Sequence, residues 1–361
     1  MGTADQTACQ SRSVVSGKPK SRQRHIMAID KNSMDYILRS AIAGGISGSC
    51  AKTLIAPLDR IKILFQTSNP HYTKYAGSLM GLVEAAKHIR INDGIRGFFQ
   101  GHSVTLIRIF PYAAVKFVAY EQIRSVLIPS KEYETHWRRL MSGSLAGLCS
   151  VFLTYPLDLI RVRLAYVTDH HRVKLGRVVR NIWAEPVSTT LSTKSYIPKW
   201  FGHWSNFYRG YIPTVLGMIP YAGVSFFAHD LICDILRVPF LAPYSVVALS
   251  EDDEAIRRQK HQRVPLKTWA ELVAGGLAGM ASQTAAYPFE IIRRRLQVSS
   301  LAPQGSHERK FQSINGIAKI IYKERGWRGF FVGLSIGYIK VTPMVACSFY
   351  VYERMKWHLG I

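Results

Sequence analysis

One spacing recurs three times in this chain: a glycine, a second glycine four residues on, a proline nine further, then an acid and a base. The copies are Gly44/Gly48/Pro57/Asp59/Lys62, Gly143/Gly147/Pro156/Asp158/Arg161 and Gly275/Gly279/Pro288/Glu290/Arg293, with identical intervals. Apolar runs accompany them: Met141–Leu157, Tyr211–Ala228 and Leu272–Phe289 contain no Asp, Glu, Lys or Arg. Such runs reach or approach the about 17–25 residues that a helix needs to cross a bilayer, and a soluble helix of that length would carry a polar stripe. An apolar helix, a small-residue face and an ion pair at each proline, repeated three times, describe an all-α membrane transporter with three-way pseudosymmetry.

Each repeat has a second marker, a glycine followed ten residues later by a proline: Gly101/Pro111, Gly210/Pro220 and Gly333/Pro343. Each opens another apolar stretch, so the chain is expected to carry six transmembrane helices, two per repeat. Between the two lies a shorter amphipathic segment. Leu79, Leu82, Val83 and Ala86 fall at helical spacing, as do Leu175, Val178, Val179 and Ile182; Phe311, Ile314, Ala318 and Ile321 approximate it. These read as short interfacial helices. The expected organisation is a disordered basic tail at 1–33, repeats at 34–130, 135–237 and 266–361, and a solvated loop insertion at 238–265. The middle repeat also holds about ten extra residues near Glu185–Lys199.

Net charge is +24. Alone, that suits nucleic acid, an anionic membrane surface or an anionic small substrate. Several basic residues lie in or beside the apolar runs instead of on one solvated face, which discounts nucleic acid. The five cysteines are scattered without metal spacing, and residues 1–33 lack the apolar core of a secretory signal. No nucleophile–base set, phosphate loop or metal spacing supports an enzyme or a cofactor.

A proline inside an apolar helix removes a backbone bond and bends the helix. Pro57, Pro156 and Pro288 are therefore expected to be kinks. Just past them, Asp59/Lys62, Asp158/Arg161 and Glu290/Arg293 can pair within one helix at i, i+3, or between helices around an axis as a ring that opens and closes. Lys52, Arg108, Lys116 and Lys340 are cations within apolar helices, where charge is costly unless used or paired. With no matching acids in mid-helix, Arg108 and Lys340 are expected to face a cavity for a large polyanion. Tyr112 and Tyr221, next to helix prolines, are candidates to face a ring.

Pro57-Leu-Asp59-Arg-Ile-Lys62, Pro156-Leu-Asp158-Leu-Ile-Arg161 and Pro288-Phe-Glu290-Ile-Ile-Arg293 resemble the signature of the mitochondrial carrier family, over roughly Met34 to Leu359. The resemblance implies six helices around a cavity in the inner membrane, closed toward the matrix by the ring of pairs and working by alternating access. It implies a glutamine brace on each pair, supplied by Gln66 in repeat one and Gln297 in repeat three, with Ala165 replacing it in repeat two. It also implies a cytosolic ring from Tyr120, Glu121 and Arg124, and from Tyr352, Glu353 and Lys356. The middle copy keeps Asp230 but has His229 and Cys233 where an aromatic and a base belong, so Cys233→Lys is expected to slow transport by over-stabilising that ring. Arg163, Arg294 and Arg295 are expected to add positive charge near the matrix closure.

The family's substrate contacts sit on the even helices, here Arg108, Gly217, Met218 and Lys340, with Gly217-Met218 suited to an adenine. Residues 144–166, Asn206–Tyr211 and Gly217–Asp230 resemble the coenzyme A carrier branch, which is similar to the Graves-disease carrier. The implied function is transport of coenzyme A or a closely related adenine nucleotide by a monomer among inner-membrane lipids, cardiolipin included. An ADP/ATP or other small-anion carrier of the same fold is the alternative.

Overall fold

The computed structural model describes residues 34–130, 134–168, 174–186, 199–247, 264–301 and 313–360. The expected tail at 1–33, the inserted residues at 187–198 and the centre of the later insertion at 248–263 lie outside them.

The described chain is helical, with one isolated bridge, Val246 to Leu266. Its main helices are α1 (Met34–Gln66), α2 (Leu79–Asn92), α3 (His102–Leu127), α4 (His136–Tyr166), α5 (Leu175–Ala184), α6 (Tyr211–Leu236), α7 (Thr268–Val298), α8 (Ile314–Arg325), α9 (Leu334–Ile339) and α10 (Val341–Leu359). Helices α9 and α10 form one rod interrupted at Lys340, across which Met344 N still donates to Lys340 O at 3.2 Å. Five described segments are long and apolar enough to cross a bilayer: 38–66, 94–127, 137–166, 202–236 and 314–359. Helix α7 is equally long but more polar, because its charge-free run is rich in Gly and Ala and includes Ser282, Gln283 and Thr284. Leu54, Phe110, Leu153, Phe227, Leu272 and Phe349 are exposed, which suits a hydrocarbon solvent.

The long helices pack in three seams, α1 on α10, α3 on α4 and α6 on α7. Each seam joins the second long helix of one repeat to the first of the next, closing the three repeats into a cycle. Pro57, Pro156 and Pro288 all lie inside their helices. Just beyond them stand three equivalent apolar cores. Ile61, Leu64 and Phe65 pack with Ala85 and Ile89. Leu159, Ile160 and Leu164 pack with Val178 and Ile182. Ile291, Ile292 and Leu296 pack with Ile317 and Ile321. The apolar stripes of α2, α5 and α8 thus anchor the segments that carry the charged motifs. Ser78 and Ser313 cap α2 and α8, accepting from Gly81 N at 2.9 Å and Gly316 N at 3.0 Å.

The second long helix of each repeat starts on a left-handed glycine, Gly101, Gly210 or Gly333, with φ of 83°, 84° and 81°. A methyl group at Gly101 would lie 2.9 Å from Arg161 O, and one at Gly210 would lie 2.9 Å from the Tyr155 hydroxyl. Conformation and close approach both require glycine at these two positions.

The described flanks of the 238–265 insertion are mostly exposed or half-buried but are tied to each other and to the helix ends. Lys267 N donates to Ser245 O at 2.7 Å, Val247 N to Pro265 O at 3.1 Å and Arg237 Nε to Val264 O at 3.0 Å. Cys233 is buried beside them with Leu266, Ala270 and Ala274.

Candidate functional site

The charged motifs meet where the segments of α1, α4 and α7 that follow Pro57, Pro156 and Pro288 converge. Arg161 Nη2 lies 3.0 Å from Asp59 Oδ2, Arg293 Nη2 lies 2.6 Å from Asp158 Oδ2, and Lys62 Nζ lies 3.0 Å from Glu290 Oε1. Every pair joins two helices, so the structure adopts the closed ring and not the intrahelical alternative. Equal spacing in the three repeats makes this possible: each acid faces the base of a neighbouring repeat.

The three pairs are supported unequally. Gln66 Nε2 donates to Glu290 Oε1 and to the Tyr287 hydroxyl, both at 3.1 Å. Gln297 Nε2 does the same for Asp158 Oδ2 and the Tyr155 hydroxyl, also at 3.1 Å. Those tyrosines donate onward to Val332 O at 2.9 Å and Arg209 O at 2.8 Å. Their rings also lie beneath the ring cations, Lys62 at 5.1 Å and Arg293 at 5.5 Å. The Asp59–Arg161 pair has neither support, since Ala165 replaces the glutamine and Ala56 stands where Tyr155 and Tyr287 stand. The tyrosines were missed in the sequence, although a tyrosine immediately before the proline in two of three copies is a readable signal.

Arg108 and Lys340 behave differently from expectation. Both were expected to face the cavity without acidic partners. Instead Arg108 Nη1 lies 3.0 Å from Asp158 Oδ1, and Lys340 Nζ lies 2.8 Å from Asp59 Oδ1. The acids follow the prolines of the neighbouring helices, within reach of side chains that leave mid-helix positions on α3 and at the α9–α10 break. Lys340 thus supplies the contact that the unbraced Asp59–Arg161 pair lacks. On α6 the corresponding residue is Gly217, whose added methyl would meet Phe289 Cβ at 3.1 Å.

A cavity of about 320 Å³ opens above the ring, lined by Arg108, Tyr112, Gly217, Met218, Tyr221 and Arg293. Arg108 also lies 5.9 Å from the Tyr112 ring centre. Arg108 and Tyr112 of α3 and Gly217, Met218 and Tyr221 of α6 are therefore together. Lys340 lies outside that lining and joins it through Asp59 and Arg161. Lys52 lies farther along α1, with Nζ 3.5 Å from Met344 Sδ. Lys116 is exposed on α3 and borders neither this cavity nor the Lys52 region.

Of the three arginines expected to enrich the closure, Arg294 does so: its Nη1 lies 3.2 Å from Asp158 Oδ2 and 3.0 Å from Gln297 Oε1. Arg163 and Arg295 do not, because both are buried and bonded elsewhere. With Arg60, which the sequence reading passed over, they build a second cycle. Arg60 pairs with Asp93 at 2.9 Å and donates to Ala165 O and Val167 O at the end of α4. Arg163 grips Glu185 through both terminal nitrogens and donates to Gln297 O, 3.0 Å away near the end of α7. Arg295 pairs with Glu324 at 2.8 Å and donates to Ser68 Oγ at 2.5 Å, just past α1. Each fastens its own repeat to the next.

At the opposite end the motif residues pair locally. Lys356 lies 3.7 Å from Glu353 on its own helix and 5.7 Å from the Tyr352 ring centre. Arg124 lies 3.2 Å from Glu134, which precedes α4, while Tyr120 and Glu121 remain on α3. Asp230 is on the exposed face of α6, with His229 at 4.0 Å. Cys233 does not face them: it is 5% exposed within the apolar cluster against α7. A lysine there would enter that apolar cluster, so Cys233→Lys carries a stability cost beside its expected effect on the ring. Among the described residues no cluster suited to a metal ion occurs.

The family model for "Mitochondrial carrier protein" matches three successive segments, 33–131, 132–238 and 264–360. The chain belongs to the mitochondrial carrier family. The carrier is 79% identical over 334 residues to "Mitochondrial carrier protein LEU5" of Saccharomyces cerevisiae, covering 92% of this chain and 94% of that protein. It is 37% identical to "Solute carrier family 25 member 16" of Homo sapiens, covering 90% of each. It is 32% identical to "Mitochondrial carrier protein CoAc1" of Arabidopsis thaliana, covering 90% of this chain and 91% of the relative. The carrier is a multi-pass protein of the mitochondrial inner membrane, and its family transports small anionic substrates and does not catalyse their conversion.

Proposed function

We propose that the carrier moves coenzyme A, or a closely related adenine-nucleotide anion, between cytosol and matrix by alternating access. One observation carries this reading. Three carboxylates, Asp59, Asp158 and Glu290, stand among seven cations, Lys52, Lys62, Arg108, Arg161, Arg293, Arg294 and Lys340. That excess suits a compact polyanion. Arginine gives bidentate phosphate contacts and lysine a point charge. Gly217, Met218, Tyr112 and Tyr221 offer a flat, partly apolar wall beside Arg108 for an adenine ring. The similarity to the coenzyme A carrier branch in segments 144–166, 206–211 and 217–230 favours coenzyme A among the nucleotides.

In this reading the closed ring faces the matrix, and Arg108 and Lys340 serve both substrate and gate. Phosphates arriving from the cytosol compete with Asp158 and Asp59 for these two cations. Binding then withdraws one partner from each of two ring carboxylates, and that differential interaction shifts the equilibrium toward opening. Loss of substrate to the matrix returns both cations to the acids. The transporting unit is a monomer in contact with inner-membrane lipids.

The test is reconstitution in liposomes with coenzyme A, dephospho-coenzyme A, ADP, ATP, adenosine 3′,5′-bisphosphate and small carboxylates. Uptake of coenzyme A that is lost in Arg108→Ala and in Lys340→Ala, with folding retained, is the expected result. Uptake of carboxylates alone refutes the substrate assignment, and normal uptake by both variants refutes the site.

A further inference from the structure

A second cavity, about 410 Å³, lies in the seam between α1 and α10; of the expected gate and nucleotide-site residues only Lys52 and, at its far end, Tyr352 line it. Its walls include Gly44, Gly48, Lys52, Met344, Ser348 and Tyr352. Four observations describe what it would hold. The Lys52 ammonium is half-buried in the membrane, and its sole hydrogen-bond acceptor among the described residues is the Met344 thioether. A weak acceptor leaves the charge at a cost that a ligand oxygen would relieve. Beyond Lys52 no further charge lines the cavity, which therefore does not suit another phosphate. A methyl group added at Gly44 or Gly48 would meet no atom within 4 Å, so the space is open on that side. The cavity also continues from the charged floor: Lys340, on Asp59, is followed at four-residue steps by Met344, Ser348 and Tyr352.

The dimensions agree with an extended chain. From Lys52 to Gly44 is eight residues of helix, about 12 Å. Coenzyme A differs from a simple nucleotide by an uncharged arm of three residue-like units joined by two amides and ended by a thiol. Three such units extend over about 10 Å or slightly more.

We propose that this cavity seats the amide-linked arm of coenzyme A, with Lys52 at the junction where the last phosphate gives way to the arm; this deepens the function proposed above and rests on it. The arm runs from Lys52 past Met344 and Ser348 toward Tyr352, while the adenine and the phosphates occupy the Arg108–Met218 side. Ser47 and Ser348 already satisfy each other, Ser47 Oγ donating to Ser348 O at 2.6 Å with the two hydroxyls 2.9 Å apart. Selectivity for the arm would therefore come from room and length more than from a fixed hydrogen-bond pattern.

The experiment compares liposome uptake of coenzyme A with that of adenosine 3′,5′-bisphosphate, which keeps the adenosine, the 3′-phosphate and the inner 5′-phosphate and lacks the outer phosphate together with the arm. The variants Gly44→Val and Gly48→Val narrow the seam, and their unfolding midpoints establish that each is folded. Coenzyme A uptake should fall by about tenfold or more while bisphosphate uptake stays within about twofold. Gly44→Ala, the mildest change, should show a smaller fall in the same direction and keeps the comparison available if a valine prevents folding. An equal fall for both substrates in folded variants, or no fall for either, overturns the assignment of the arm. Wild-type uptake of neither substrate overturns the proposed function itself, and the arm's seat with it.

Discussion

Gln66→Leu isolates the contribution of one brace while nearly preserving side-chain volume. Glu290 receives two donors in the ring, Lys62 Nζ at 3.0 Å and Gln66 Nε2 at 3.1 Å, so the substitution removes half of them. The lost bond to a carboxylate is worth about 1.5–3 kcal/mol and the lost bond to the Tyr287 hydroxyl about 0.5–1.5 kcal/mol. Together they weaken the closed state by about 2–4 kcal/mol, roughly 30- to 1000-fold in its equilibrium with the open state. If half of that is already lost at the opening transition state, opening accelerates by about 5- to 30-fold. The comparison is Gln297→Leu. Asp158 keeps Arg293, Arg294 and Arg108 after losing its brace, and the effect should be several-fold smaller. Initial rates of tracer exchange in liposomes, with unfolding midpoints in detergent, measure both. Equal effects of the two substitutions, or rates within twofold of wild type and an unmoved midpoint in Gln66→Leu, would refute the reasoning that donor count sets pair strength.

Three further outcomes follow from the geometry. Arg60→Met leaves Asp93 buried without its guanidinium, and should cost about 3–5 kcal/mol, read as a lowered unfolding midpoint that Arg60→Met/Asp93→Leu partly restores. Gly101→Ala forces a side chain onto a φ of 83° and against Arg161 O, and should destabilise by about 1–3 kcal/mol, measured in the same way. Cys233→Lys should lower the midpoint by placing an ammonium beside Leu266, Ala270 and Ala274; an unchanged midpoint with slowed exchange would instead favour the idea that position 233 completes a ring.

The cycle of helices was readable because it is written three times: a single proline with an acid two residues on is noise, but three at one spacing are not. The ring partners were readable only as a choice, since i, i+3 spacing permits a pair within a helix, and convergence of three helices decides it. Arg108 and Lys340 were legible as cations in apolar helices. Their hold on Asp158 and Asp59 was not legible, because it depends on how far a side chain reaches across a seam. Arg163 and Arg295 misled for the opposite reason: a base two residues after the ring base looks like more of the same charge, yet the helix turns it outward to Glu185 and Glu324. Arg60, at a different position in its repeat, does the same work toward Asp93, so repeat alignment alone conceals it. The two unequal alanines, Ala56 and Ala165, were visible as letters, but they fall on the same ring pair only in the folded cycle.

Arg60, Arg163 and Arg295 give that cycle a direction. Each ties the outer segment of one repeat to the end of the first long helix of the next, in the order one to two, two to three and three to one. Such a linkage behaves like the leaves of an iris: a tilt in any one repeat pulls on its successor, and the pull returns to where it began. Partial apertures are then strained, so the passage would widen on all sides together. Breakage of a single tie would turn a concerted shutter into three independent flaps, and the carrier into a leak.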